Sequence, residues 1–351
     1  MKSILVFAAA DAHAREMLAP YRLPSFLSSL RDENIEPAIV DLTASGELPV
    51  SAPLVITAAL RRNRGTIKEL LQARRVVHTF GDVPLLASIW RNAAQAGCGV
   101  VHSVTGASNV VGRALLPKSL WAKHASRYVE AILGSNRGAI RDYIEAGFFA
   151  HAKFSMIARP PLGIAIGAEP NVQQQASIPT FGCRGHHTDG VLDFLVAALK
   201  LVGNQHLFRV LIAQTADSAA FSSRFLANIS FQHLRESRNF VRCVNVLIVP
   251  KSDDRAIEDV VMALRQNKIV IAPDGGTISE LLQFGRSGVL FKAGDAYALA
   301  RAINNVTACW NRPPFDFRGG ESVVDQVSPQ QVARTFARAY QKVGHEAKAV
   351  A

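Results

Sequence analysis

Along this chain, short runs of consecutive apolar residues alternate with longer stretches in which apolar residues recur every third or fourth position. The first pattern predicts strands buried on both faces and the second predicts helices lying on them, so the alternation predicts an α/β protein with parallel sheets. In the first half, Ser3–Ala8, Pro37–Leu42, Pro53–Ile56, Arg75–His78, Gly99–Val104 and Glu130–Gly134 read as strands. Helices are predicted over Leu23–Glu33, Thr66–Ala73, Pro84–Ala96, Lys118–Tyr128 and Arg137–Ala146, the last closed by Gly147. A stretch rich in Pro, Gly and Gln follows, with Pro160, Pro161, Pro170 and Pro179, and reads as a connection between domains. The pattern then restarts. Strands are predicted at Thr180–Cys183, Arg209–Ala213, Val244–Val249, Ile269–Ala272 and Val289–Phe291, and helices at Val191–Leu201, Ala256–Arg265, Ser279–Phe284, Ala296–Val306 and Ser328–Val343. The implied division is a first domain over 1–160, a connection over 161–179, a second domain over 180–327 and a C-terminal helix over 328–351 that packs back toward the first domain.

Length and composition agree with that division. A chain of 351 residues exceeds one ordinary domain, and 49% hydrophobic residues suffice for two buried cores. The net charge of +11 is uneven, with roughly +7 of it before residue 166 and about +4 after. Arg61, Arg62, Arg64, Lys68, Arg74 and Arg75 form one basic group, and Arg113, Lys118, Lys123 and Arg127 form another around Trp121. Solvated helix faces account for both, and an anionic membrane surface is the functional alternative for the second. No nucleic-acid-binding signature accompanies the charge, so no nucleic-acid partner is expected. The four cysteines are far apart, which argues against a zinc site or a disulfide framework and suits a reducing compartment. The apolar start Ile4–Ala10 reads as a buried strand in preference to a signal peptide, and no apolar run is long enough to cross a bilayer. The expected location is cytoplasmic, with peripheral attachment to the inner face of a membrane as an option.

In parallel α/β sheets, ligands bind at the carboxyl ends of the strands, where loops enter helices. Two such junctions stand out in the second half. One is Pro250-Lys251-Ser252-Asp253-Asp254, and the other is Asp274-Gly275-Gly276-Thr277-Ile278-Ser279-Glu280. The two glycines let a backbone approach a ligand closely at a helix start, which suits a phosphate. Thr277 and Glu280 also match a capping box, which needs no ligand. His78 and His102 fall at predicted strand ends facing a cleft, where acceptor contact or proton transfer can occur, although a satisfied structural histidine is the favoured reading of each. His186 and His187 have no third ligand at metal spacing, so no metal is expected.

Residues 244–303 resemble the donor-binding half of the family-4 glycosyltransferases of GT-B fold. The resemblance rests on Pro250, Ser252, Val270-Ile271-Ala272, Gly275-Gly276 with Glu280, Gly288-Val289-Leu290, and Asp295 with Leu299-Ala300. Fainter likeness extends to Phe181–Gly190, Ser135–Gly147 and Val76–His78. It implies two Rossmann-like domains facing a cleft, and transfer of a sugar from a nucleotide-sugar donor to a glycan or lipid-linked acceptor with retained configuration and no metal. The expected reaction type is hexosyl transfer in polysaccharide or glycolipid biosynthesis. Carried over residue by residue, Arg184 corresponds to the family's phosphate-binding arginine and Asp254 to the first of its paired acids. Lys251, Ser252, Glu258, Gly275, Gly276, Thr277 and Glu280 are the other donor-site candidates, and His102 joins Asp254 as a catalytic candidate. Two positions depart: Asp189 stands where the family has a phosphate-binding lysine, and Met262 where it has the ribose-binding glutamate. Those departures favour the alternative of a catalytically inactive GT-B scaffold or binding subunit.

Overall fold

The computed structural model describes residues 2–8, 24–41, 75–80, 83–104, 117–162, 177–184, 190–203, 205–213, 229–232, 237–251, 256–310 and 320–346. The chain parts into two compact units, residues 1–164 with 326–351, and residues 165–325. Each is built on one six-stranded parallel sheet.

In the first unit the strands are β1 (Lys2–Ala8), β2 (Ile35–Asp41), β3 (Val76–Phe80), β4 (Gly99–Val104), β5 (Ala131–Gly134) and β6 (Phe154–Ile157), in the order β2-β1-β3-β4-β5-β6. Every residue of β3, β4 and β5 is buried, because helices cover both faces of the sheet. On one face lie α2 (Val83–Gln95), α3 (Pro117–Ala125) and α4 (Arg137–Glu145), packed through Leu86, Trp90, Ala122, Ile140 and Tyr143. On the other lie α1 (Pro24–Asp32), through Phe26 and Leu30, and the C-terminal helix Pro329–Glu346, through Val332, Phe336, Tyr340 and Val343. The C-terminal helix sits so close to β4 that a Cβ added at Gly99 would collide with Val343. Asn136 caps α4 by accepting the Ala139 N–H at 2.7 Å, and Gly147 ends that turn at φ 83°.

In the second unit the strands are β7 (Thr180–Arg184), β8 (Arg209–Ala213), β9 (Ile229–Gln232), β10 (Val246–Ile248), β11 (Ile269–Pro273) and β12 (Val289–Phe291). Their order, β12-β11-β10-β7-β8-β9, is that of the dinucleotide-binding α/β fold. The described helices are α5 (Val191–Leu201), α6 (Ser237–Arg242), α7 (Ile257–Arg265), α8 (Gly276–Leu281), α9 (Ala296–Ala308) and α10 (Gly320–Gln326), which makes the C-terminal helix α11. α5 and α9 share one core with the sheet through Leu195, Leu199, Leu299 and Ile303. A Cβ at Gly182 would collide with Val244, so glycine in the middle of β7 sets how closely the α6–β10 segment approaches.

Most predicted elements form within a residue or two of their expected ends. Pro53–Ile56 and Thr66–Ala73 lie outside the described residues. β6, β9, α6 and α10 were not expected. β6 and β9 are the outer strands of their sheets and only four residues long, so neither offers a sustained apolar run. The expected helix Ser279–Phe284 starts three residues earlier, at Gly276, and stops at Leu281.

Candidate functional site

The chain leaves β7, builds β8 and β9 to one side, then returns to place β10 on the other side of β7. That reversal is the topological switch point, and loops diverge there to leave a crevice at the carboxyl edge. Arg184 is the last residue of β7, Lys251 follows β10, and the Gly275-Gly276 turn follows β11, so three adjacent strands deliver these candidates to one edge. Lys251 is exposed. Ser252 and Asp254 lie outside the described residues, as do Asp189, His186 and His187.

The Arg184 guanidinium donates through Nη1 to Asp259 Oδ1 at 3.0 Å. Asp259 comes from the first turn of α7, on the face packed against the sheet, and its side chain is 3% exposed against 23% for Arg184. Periodicity concealed this pairing, because Asp259 sits among Ile257, Val260 and Val261 and reads as part of a polar helix start. The signal available was an acid at a core-facing position of a helix opposite a strand-end arginine. The carboxylate also acts on Cys183. Burial first, and the Asp259 charge second, push that thiol up to about 12, so it stays protonated and unreactive. Glu258, next to Asp259, points to solvent, and Met262 is buried on the inner face of α7.

The turn after β11 has a conformational reason for its glycines. Gly275 has φ 107° and ψ 161°, and Gly276 has φ 71°, values that side-chain-bearing residues rarely adopt. A Cβ at Gly275 would meet nothing within 4 Å, so the backbone there is open on its outer side. Asp274 braces the turn: its N–H donates to the Phe291 carbonyl at 2.7 Å and its Oδ1 accepts from the buried Ser279 hydroxyl at 2.9 Å. Gly275, not Thr277, occupies the N-cap; Thr277 is buried inside α8 and Glu280 is partly buried one turn later. Six residues give α8 a small dipole, so the approach permitted by the two glycines is the stronger feature.

The first unit corrects the histidine expectation. His102 does not face solvent at the end of β4: it is 0% exposed, between Trp90 at 5.2 Å and Phe149 at 5.2 Å between ring centroids. Its Nδ1 lies 2.9 Å from the Thr79 hydroxyl, which donates to the Val101 carbonyl and accepts from the Trp90 indole N–H. That arrangement places the imidazole proton on Nδ1 and leaves Nε2 without a hydrogen-bond partner among the described residues. Burial pushes the His102 pKa down to about 3, against a smaller upward pull from the Thr79 backbone. A ring this enclosed and this weakly basic cannot take up a substrate proton near neutral pH. His78, on the opposite face, is equally buried. It links the Tyr340 hydroxyl of α11 at 2.7 Å to the Ser103 hydroxyl at 2.8 Å, and burial and then His102 hold its pKa well below the usual range. Both histidines are structural. Among the described residues no three His, Cys, Asp or Glu side chains converge as a metal site.

No protein-family model matches the sequence, and no curated protein matches it in sequence. Solved structures do match in fold over nearly the whole chain. The Anabaena protein HepE, solved in complex with UDP, superposes with a TM-score of 0.70 at 14% identity, covering 97% of this chain and 100% of that one. The lipopolysaccharide outer core galactosyltransferase WaaB, in its apo form, gives 0.69 at 11% identity, with 97% and 99% covered. A glycosyltransferase from Rickettsia africae gives 0.67 at 13% identity, with 97% and 98% covered. The fold is therefore of the GT-B type, with two Rossmann-like parallel-sheet units.

Proposed function

We propose that this chain is a glycosyltransferase whose second unit binds a nucleotide-sugar donor at the carboxyl edge of β7, β10 and β11. One observation carries the reading: at the topological switch point, a strand-end arginine held by a buried carboxylate, an exposed lysine and a conformationally required Gly-Gly turn come from three adjacent strands. Arg184 and Lys251 supply positive charge where a leaving diphosphate develops negative charge, and the open backbone at Gly275 admits a phosphate oxygen. HepE, of the same fold, was solved with UDP bound. Fold alone does not settle chemistry, so the reading stands on the site.

Within this reading, the sugar passes with retained configuration and without a metal to a glycan or lipid-linked acceptor, as in polysaccharide or glycolipid synthesis. The catalytic assignment rests on Asp254, since His102 is enclosed. α3 exposes Leu120 and Trp121 at 60% and 46%, which suits contact with an anionic membrane surface and a peripheral place on its cytoplasmic side. Its basic neighbours are engaged locally, Lys123 over the Phe148 ring and Arg127 over Tyr128. No helix among the described residues is long and apolar enough to cross a membrane. A second reading, an inactive GT-B binding subunit, is favoured by Met262, whose buried thioether cannot hold a ribose hydroxyl as a glutamate would.

Thermal unfolding with UDP, GDP and ADP and their sugar conjugates, with and without magnesium, separates the two. Ligand at a hundred times its dissociation constant adds about 2.7 kcal/mol of stability. Stabilisation by one nucleotide class supports the donor site and names its base. No stabilisation by any of them makes the inactive reading the better one.

A further inference from the structure

The Arg184–Asp259 pair at the carboxyl edge of the second unit is uneven in exposure. The Asp259 side chain is 3% exposed and the Arg184 side chain 23%, so the anion is enclosed in protein while the cation reaches the surface. A buried charge is screened by salt and water much less than an exposed one. The Asp259 charge acts beyond its partner, since it helps to keep the Cys183 thiol protonated one residue before Arg184. It is also fixed in place, on a first turn of α7 whose neighbours Ile257, Val260 and Val261 are all buried.

The other described charges near this edge are placed differently. Lys251, Asp274 and Glu258 are exposed and so largely screened, and Glu280 lies one turn inside α8. The fixed charges at the end of β7 are therefore Arg184 and the buried carboxylate bonded to it at 3.0 Å.

We infer that Asp259 is a specificity-determining residue of the donor site: its carboxylate offsets part of the Arg184 charge, so that the site holds a free nucleoside diphosphate less tightly, relative to its sugar conjugate, than an unscreened arginine would. The inference rests on the donor site proposed above. In glycosyl transfer the bond between the sugar carbon and the diphosphate oxygen breaks, and its electron pair stays on that oxygen. The acceptor hydroxyl oxygen bonds to the sugar carbon and its proton is released. The diphosphate thus gains one negative charge and carries about three at pH 7.5, where a terminal phosphate with an ordinary pKa near 6 is ionised. Attraction to a fixed cation grows with ligand charge, so Arg184 alone would favour the spent product over the donor that must replace it. A carboxylate one hydrogen bond from the guanidinium reduces that bias. An Asp259 that only positioned Arg184 would act through its oxygen, a role that an amide oxygen fills as well.

Calorimetric titration of the full chain at pH 7.5 tests it, with the matched pairs UDP and UDP-glucose, GDP and GDP-mannose, and ADP and ADP-glucose. Asp259→Asn keeps an oxygen that accepts from Arg184 and removes the charge. For the pair that binds the native chain, this variant should tighten the free diphosphate more than the sugar conjugate, shifting their affinity ratio at least about threefold. Arg184→Gln should shift the ratio the other way. Adding Asp259→Asn to Arg184→Gln should then move it back at least about threefold, in a protein with no buried unpaired carboxylate. Unfolding curves identify the folded variants, and either background alone suffices. An unchanged ratio on adding Asp259→Asn, or equal weakening of both ligands, would overturn the inference and leave the donor site standing. Failure of every pair to bind the native chain would overturn the donor site and the inference together.

Discussion

The two units carry polar side chains at comparable places in related sheets, yet they use them in opposite ways. In the first, His78, Thr79, His102 and Ser103 lie on the central strands β3 and β4, buried and neutral, joined to Trp90 on one side and to Tyr340 of α11 on the other. In the second, Arg184, Lys251, Asp274 and the Gly275-Gly276 turn lie at the strand ends, charged or open to solvent. A polar group inside the sheet has its hydrogen bonds made by the fold and is removed from ligand chemistry. One residue beyond the strand end, the same sheet offers it to a ligand. Position along the strand, more than residue type, separates the structural histidines from the candidate donor residues.

The largest expected effect tests the closed half. His102 has its folded pKa lowered to about 3 from an ordinary value of 6.5, so the unfolded chain binds the proton first as pH falls. Its contribution is fully present above pH 6.5 and is lost as pH drops toward 3, at about 1.4 kcal/mol per pH unit and about 5 kcal/mol in all. His78 acts with the same sign. Trp90 lies beside His102 and is one of three tryptophans in the chain. Urea unfolding of a Trp121→Phe/Trp310→Phe variant, followed by Trp90 fluorescence, should show stability falling at least this steeply between pH 6.5 and 4.5. A flat profile would mean that these histidines are not held neutral.

The next effect sits on the boundary between the two modes, since Arg184 is half structural. Arg184→Ala removes the cation paired with the buried Asp259 carboxylate and should cost about 3 kcal/mol, the low end for breaking a buried ion pair. Adding Asp259→Ala should recover part of that loss in a double-mutant cycle of unfolding free energies. Strictly additive costs would show that the pair is not coupled.

A smaller effect sharpens the open half. Gly275→Ala forces an L-residue to φ 107° and ψ 161°, a region that essentially only glycine occupies, and should cost about 1–3 kcal/mol. Gly294, at φ 75° and equally uncrowded, provides the control. Gly294→Ala should also cost stability, but only Gly275→Ala should weaken nucleotide binding. Equal affinity in both variants would remove the turn from the site.

Why some of this was legible in the sequence and some was not follows from the same contrast. Val76–Phe80, Gly99–Val104 and Ile269–Pro273 are buried on both faces, so their apolar runs announce them. β6 and β9 are outer strands of four residues, and a short outer strand lacks that signature. Glycines at the carboxyl end of a predicted strand drew attention to the Gly275-Gly276 turn, where both adopt positive φ. The burial of His102 was not legible, because it depends on Trp90, ten residues beyond β3 in α2, and on Phe149 beyond α4 closing over one face of β4. The Arg184–Asp259 pair joins residues 75 apart, and its one local trace is an acid at a core-facing position of a helix.

Hydrogen–deuterium exchange with saturating UDP, GDP or ADP tests the donor-site claim most directly, because it reports where a nucleotide acts. The account predicts that at least one of them slows exchange at Arg184, Lys251 and Asp274–Thr277, while β3 and β4 of the first unit stay unchanged. No change at that edge with any of the three, or protection confined to the first unit, would contradict it.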